Sequence, residues 1–409
     1  MIKKSLIKSY AELIVKAGGA IQKGQEVVIR AQVELEDFVE VVARECYKQG
    51  ASRVVYEWQS SKLSRLEAKY GKEKVCSVPT PMEVALQNYE TDYLPVLIWL
   101  DGDDPDGLAG VNVEKLARIH QAKMRVLGPI RQKRENKYQW TIAGVPTVAW
   151  AKKVFPSLPK SQAVEALWNA ILKASRAYDG NGIANWDEHE KNLKEKCAKL
   201  NALDLRKLHY TAGNGTDFTV GLIPGVIFLG GGEKTTSGIL FQPNIPSEEA
   251  FTTPMKGEAE GIVYASKPLS YQGQLIENFS VRFEKGKAVE VHAEKGEEAL
   301  RSILAVDDGS AYLGECALVP FESPINQLGF LFYNTLYDEN AACHLALGRG
   351  FSNLYPDFEK YTNEELIEKG INYSASHVDF MIGTRDLKIV GMKADGSEVT
   401  IFENGTWAI

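Results

Sequence analysis

Residues 25–58 read as strand, helix, strand, and that order fixes topology before any other feature does. Residues 25–31 form a strand around the β-branched centre Val27, Val28 and Ile29. A helix over about 34–48 follows, with Leu35, Phe38 and Val42 on one face and Gly50 as its stop. Residues 53–58 are the second strand. A strand that returns beside its predecessor through a helix must lie parallel to it, by a right-handed crossover. Residues 93–100 extend the pattern as an almost continuously apolar strand, as a parallel strand covered on both faces should be. Residues 137–146 contain another. Helices are expected over 5–18, 60–91 (broken near Pro79 and Pro81), 113–134, 161–178 and 186–203. The acidic run at 101–106 reads as a solvated turn, because Pro105 and Asn112 stand where a calcium loop needs ligands.

The pattern changes near residue 205. Strands at short spacing follow, over 207–212, 217–222, 226–229, 261–265, 274–283 and 287–293, then a helix over 294–304. The expected fold is an α/β N-terminal domain with parallel βαβ units, residues 1–205, followed by an α+β domain, residues 206–409. A chain of 409 residues is long enough for more than one core. Its net charge of −7 argues against nucleic acid or an anionic membrane as partner. Met1 to Lys8 starts with basic residues, but Ser9, Glu12 and Lys16 interrupt any apolar run, so no signal peptide is read. The five cysteines are scattered without paired spacing, which suits a reducing cytoplasm.

The chemistry concentrates between Leu313 and Gly383. The chain has six histidines, and two of them, His344 and His377, fall here beside acidic residues. Residues 374–382 read as a strand, so His377 and Asp379 share one face and Val378 and Phe380 the other. Residues 340–347 read as a short Ala-rich helix, capped by Asp338 or Asn340 and stopped by Gly348, with His344 one turn in. Glu339 then converges with His344 only from the preceding loop, since five residues diverge by about 140° on a helix. Glu315 lies in an apolar strand and shares a face with Ala317 and Val319. Carboxylates mixed with imidazoles form a ligand set for zinc, manganese or cobalt. So many ligands exceed one catalytic zinc and suit two ions bridged by a carboxylate. Taken singly, each residue has a plainer reading: Glu339 as a helix cap, His344 as a buried hydrogen-bonded histidine, His377 and Asp379 as a surface stripe.

Several long segments in order carry a resemblance. They are Asn244 through Pro254, the Gly314-Glu315 strand, Tyr337 through His344, and His377 through Gly383. Together they resemble the thermophilic-aminopeptidase family of metallopeptidases over nearly the whole chain. The resemblance implies two divalent ions held by Glu249, Glu315, Glu339, His344, His377 and Asp379, with Glu248 adjacent to Glu249 as the competing position. It also implies a homodimer with an enclosed chamber. The chain departs from the family pattern at Phe351, where a tyrosine implicated in catalysis is expected. Tyr355, Tyr333 or a water takes that role, or catalysis is weaker.

The resulting expectation is a cytoplasmic metalloaminopeptidase that removes N-terminal residues from short peptides, with Glu315 as ligand and proton acceptor. Two rivals stand beside it: another two-metal amide or ester hydrolase, and a metal-stabilised scaffold without turnover.

Overall fold

A computed structural model describes residues 2–409, and every side chain among them but that of Val113. Contacts divide the chain into two compact units. The first runs to His189 and takes in Gly232–Pro246; the second comprises Glu190–Gly231 and Ser247–Ile409.

The first unit is built on a five-stranded parallel sheet. Its order is Arg53–Gln59, Glu26–Gln32, Val96–Asp101, Trp140–Gly144 and Asn244–Ile245. The expected strand–helix–strand unit is present, with the helix at Glu36–Gln49 ended by Gly50 in the left-handed region (φ 107°). The central Val96–Asp101 strand buries Val96, Leu97, Ile98 and Leu100, which accounts for its apolar run. Pro95 precedes it, where it withholds no ladder hydrogen bond. On the helices beside this sheet, Glu90 is fully buried. It accepts hydrogen bonds from Arg30 Nη2 and, at 2.6 Å, from Arg134 Nη2. Arg30 Nε also donates to Glu57 at 2.5 Å.

The second unit contains two antiparallel sheets. One has nine strands, drawn from residues 205–295 and 388–407. The other has four, in the order Ala250–Thr252, Leu313–Leu318, His344–Gly348, His377–Met381. Their facing side chains form one core: Leu208, Phe218, Phe279 and Phe283 from the larger sheet meet Cys316, Leu318, Leu345 and Phe380 from the smaller. The rings of Phe279 and Phe380 lie 5.9 Å apart. Strand alternation then turns the residues between these, Glu315, His344, His377 and Asp379, to the opposite face. The fold is thus mixed α/β, with one parallel sheet and antiparallel sheets.

Three local expectations are corrected. The helix expected over 340–347 is absent: a five-residue helix, Thr335–Glu339, precedes it, and His344–Gly348 is a strand. A short apolar run cannot by itself distinguish buried strand from helix. Here the strand lies between two partners, and its alternation places Leu345 and Leu347 in the core. Neither Asp338 nor Asn340 caps a helix there; the cap position is Asn334. Residues 226–229 form no strand, although Leu229 bridges Phe251. The helix Val148–Val154 and the C-terminal strands beginning at Lys388 extend the fold beyond the sequence reading.

Candidate metal centre

The four-stranded sheet places its polar face by register. Ala317 lies opposite His344, Glu315 opposite Ala346, and Ala346 opposite Asp379. The small alanines leave room between the charged groups. A β-bulge between Leu313 and Glu315 sets which face Glu315 takes. Gly314 makes that bulge possible: a Cβ there would stand 2.1 Å from the Arg349 carbonyl oxygen and 2.5 Å from that of Gly348. Without the extra residue, the alternation that buries Leu313 would send Glu315 to a different register.

Two groups that could each hold a metal ion share one carboxylate. Glu249, Glu315 and His344 offer atoms all within 4.8 Å of one another, and so do Glu315, His377 and Asp379. His344 Nε2 lies 3.0 Å from Glu249 Oε2. His377 Nε2 lies 3.1 Å from Glu315 Oε2 and 3.3 Å from Asp379 Oδ1. On the far side of each ring, Nδ1 faces a backbone carbonyl. His344 Nδ1 is 3.1 Å from the Ala342 oxygen, and His377 Nδ1 is 2.7 Å from the Arg349 oxygen. A carbonyl only accepts, so Nδ1 carries a proton and Nε2 is the nitrogen that points into the site, free to ligate once its own proton is displaced.

Glu339 joins from the end of its short helix, across the turn at 340–343. Its carboxyl feels the charges of Asp379, Glu249 and Glu315. Asn340, expected only as a helix cap, fixes this junction. Its Nδ2 donates to the Leu336 oxygen at 2.9 Å, and its Oδ1 accepts from the Glu248 N–H at 2.7 Å. That second bond ties the segment carrying Glu249 to the segment carrying Glu339. A fully buried asparagine within a run of small residues was the available signal. Of the two adjacent acids, Glu249 lies 3.0 Å from His344 through its carboxylate, and Glu248 gives its backbone N–H to Asn340.

The electrostatics are those of crowded acids. Burial, then the charges of Glu249 and Asp379, hold the Glu315 carboxyl up at about 7, against the hydrogen bond from His377. Burial and the Asp379 charge raise Glu339 well above its ordinary value. Burial would lower His344, but Glu249 at hydrogen-bond distance outweighs it and lifts the imidazole to about 10. His377 is likewise raised, with Asp379 overcoming burial. Burial would raise Asp379, but the His377 charge and hydrogen bond outweigh it and bring the carboxyl below its ordinary value. Four carboxylates therefore converge on two imidazoles, and the buried Asp379 Oδ1 has His377 Nε2 as its ion-pair partner at 3.3 Å. Carboxylates held this close, with imidazole nitrogens among them, fit divalent cations.

Phe351 stands at the rim. Its ring centroid lies 5.2 Å from that of His377 and 5.3 Å from that of Phe251. Tyr355 packs instead against Tyr361, in a separate apolar cluster.

The comparisons with known proteins agree along the chain. Aminopeptidase AmpS of Bacillus subtilis is 39% identical over 403 residues, covering 98% of each chain. Aminopeptidase T of Thermus thermophilus is 39% identical over 409 residues, covering 99% of each. The solved structure of wild-type AmpT from Thermus thermophilus superposes with a TM-score of 0.90 at 37% identity, over 99% of this chain and 100% of that one. The family model for thermophilic metalloproteases (M29) matches residues 3–407. This chain therefore belongs to the thermophilic metalloprotease family (M29), metal-dependent hydrolases whose matched members are named aminopeptidases.

Proposed function

We propose that this chain is an aminopeptidase that removes the N-terminal residue from short peptides, and that two divalent cations serve it. The observation that carries the reading is the pair of three-residue groups sharing Glu315. Glu249, Glu315 and His344 would hold one ion, and Glu315, His377 and Asp379 the other. Glu339 lies beside both groups. Imidazole with carboxylate favours zinc, cobalt or manganese. When bound, such ions polarise a carbonyl and make water a nucleophile near neutral pH.

The chain's own groups do the rest. The two Nδ1–H bonds to Ala342 and Arg349 hold the imidazoles in the ligating tautomer. Glu315, central to both groups, accepts the proton that a water loses in attacking the scissile carbonyl, and later returns it to the leaving amine. Of the six residues, His377 and Glu339 are half-buried and the other four are buried. Burial of most of these groups supports small or extended substrates over folded proteins. A homodimer and a cytoplasmic location complete the proposal. Among the described residues no helix is long and apolar enough to cross a membrane, and all five cysteines are free.

The test is cleavage of short peptides by metal-loaded protein, with free and with acetylated N-termini, in the presence of Zn²⁺, Co²⁺ or Mn²⁺. Release of the first residue from the free peptides alone is expected. Equal cleavage of the acetylated peptides would point to another amide hydrolase, and sedimentation of the same sample reads the oligomeric state.

A further inference from the structure

The side of the centre next to His377 is lined by carbon. Phe351 leaves the end of the His344–Gly348 strand and lays its ring between His377 and Phe251. Phe251 lies opposite Ala317 in the sheet, and Ala317 shares the polar face with Glu315, two residues away. Phe251, Ala317 and Leu354 form a buried cluster, with Val226, Leu229 and Phe351 packed against it. None of these six side chains can donate or accept a hydrogen bond or carry charge. Phe351 is the half-buried member, beside the most open of the proposed ligands. All the charge at the centre lies on the other groups.

We infer that Phe351, backed by Phe251, lines the subsite for the substrate's N-terminal side chain and selects large apolar residues over charged ones. The inference rests on the aminopeptidase reading, in which the N-terminal residue is the one seated at the ions. Its side chain must leave the centre past a neighbouring wall, and the ring 5.2 Å from His377 is that wall. A leucine or phenylalanine side chain removes apolar surface from water there. A lysine side chain gains less, because its ammonium finds no partner among these carbons. A few methylenes in an apolar pocket discriminate by roughly 10-fold or more.

The experiment uses full-length, metal-loaded protein. kcat/KM is measured for the p-nitroanilides of Leu, Phe, Ala and Lys. Dissociation constants are measured by calorimetry for leucine hydroxamate and lysine hydroxamate, which bind metal without being turned over. Leu and Phe are expected to exceed Ala and Lys by about 10-fold or more. Phe351→Ala should bring these ratios close to one, while Phe351→Leu should retain most of the preference. Ratios within one variant cancel any loss of metal or of folded protein. A wild-type enzyme that takes Lys as well as Leu would overturn the inference without any mutant. So would a Phe351→Ala variant with the wild-type ratios. If no anilide is cleaved but leucine hydroxamate still binds more tightly than lysine hydroxamate, and Phe351→Ala removes the difference, the hydrolytic reading falls and the subsite stands. If the hydroxamates bind equally, the subsite falls.

Discussion

The two units bury charge in opposite ways. In the first, Glu90 is fully buried but meets two guanidiniums, from Arg30 and Arg134, while Arg30 is shared with Glu57. Burial raises the Glu90 carboxyl, and the two arginines work against that rise. The Glu90 carboxylate meets its compensating charge in protein cations, so this cluster needs no added ion. In the second unit, four carboxylates converge with only imidazoles between them. That arrangement is costly unless a cation enters. Buried acid alone marks neither role. What separates structure from function is whether the protein supplies the compensating charge.

The largest effects should come from the second cluster. His377→Ala or Asp379→Ala should lower kcat/KM by more than about 100-fold, since even the outer partners of metal ligands cost roughly 10–100-fold. Near-normal turnover at saturating metal would remove either residue from the ligand set. Glu90→Ala should act on stability instead. It leaves Arg134 buried without a carboxylate, a loss of about 3–5 kcal/mol in denaturant unfolding. Activity per folded molecule and metal content should stay at wild-type values. If metal content falls with Glu90, the two clusters are not separable as argued.

A third effect is read through pH on chelated protein. The folded protein raises Glu315 from 4.5 to about 7 and His344 from 6.5 to about 10. Between those values the folded, chelated protein holds protons that the unfolded chain has released. Protons bound preferentially by the folded state stabilise it, so stability falls as pH rises through this interval. The melting temperature of chelated protein should therefore drop from about pH 5 to about pH 9, with a flatter curve for loaded protein. A rise with pH after chelation would contradict the crowded-acid picture. The smallest effect is expected at the rim. Phe351→Tyr adds a hydroxyl to a half-buried ring, and should cost less than the roughly 1–3 kcal/mol of a buried unpaired hydroxyl. Differential scanning calorimetry would show a larger loss if the ring edge is sealed in the core.

The first unit was legible because its signals are local. The parallel pair around residues 26–59 follows from strand, helix and strand in succession, and the apolar run near Leu97 needs no distant information. The same holds for His377 and Asp379, whose shared face follows from strand alternation. His344 was harder. Residues 340–347 are short and apolar, and either secondary structure fits them in isolation. Two flanking strands that arrive from residues 313–318 and 377–381 decided it.

The sequence by itself determined which side chains are available for a divalent site and, through its long motifs, which family the chain belongs to. Tertiary structure alone decided how they divide into two groups around Glu315. That division depends on a bulge at Gly314, on the register of three strands, and on one buried asparagine joining the segments that carry Glu249 and Glu339. The physical reason is sequence separation: candidate ligand atoms within 4.8 Å come from residues as far apart as Glu249 and His344. Only the packed sheet brings such positions to one face.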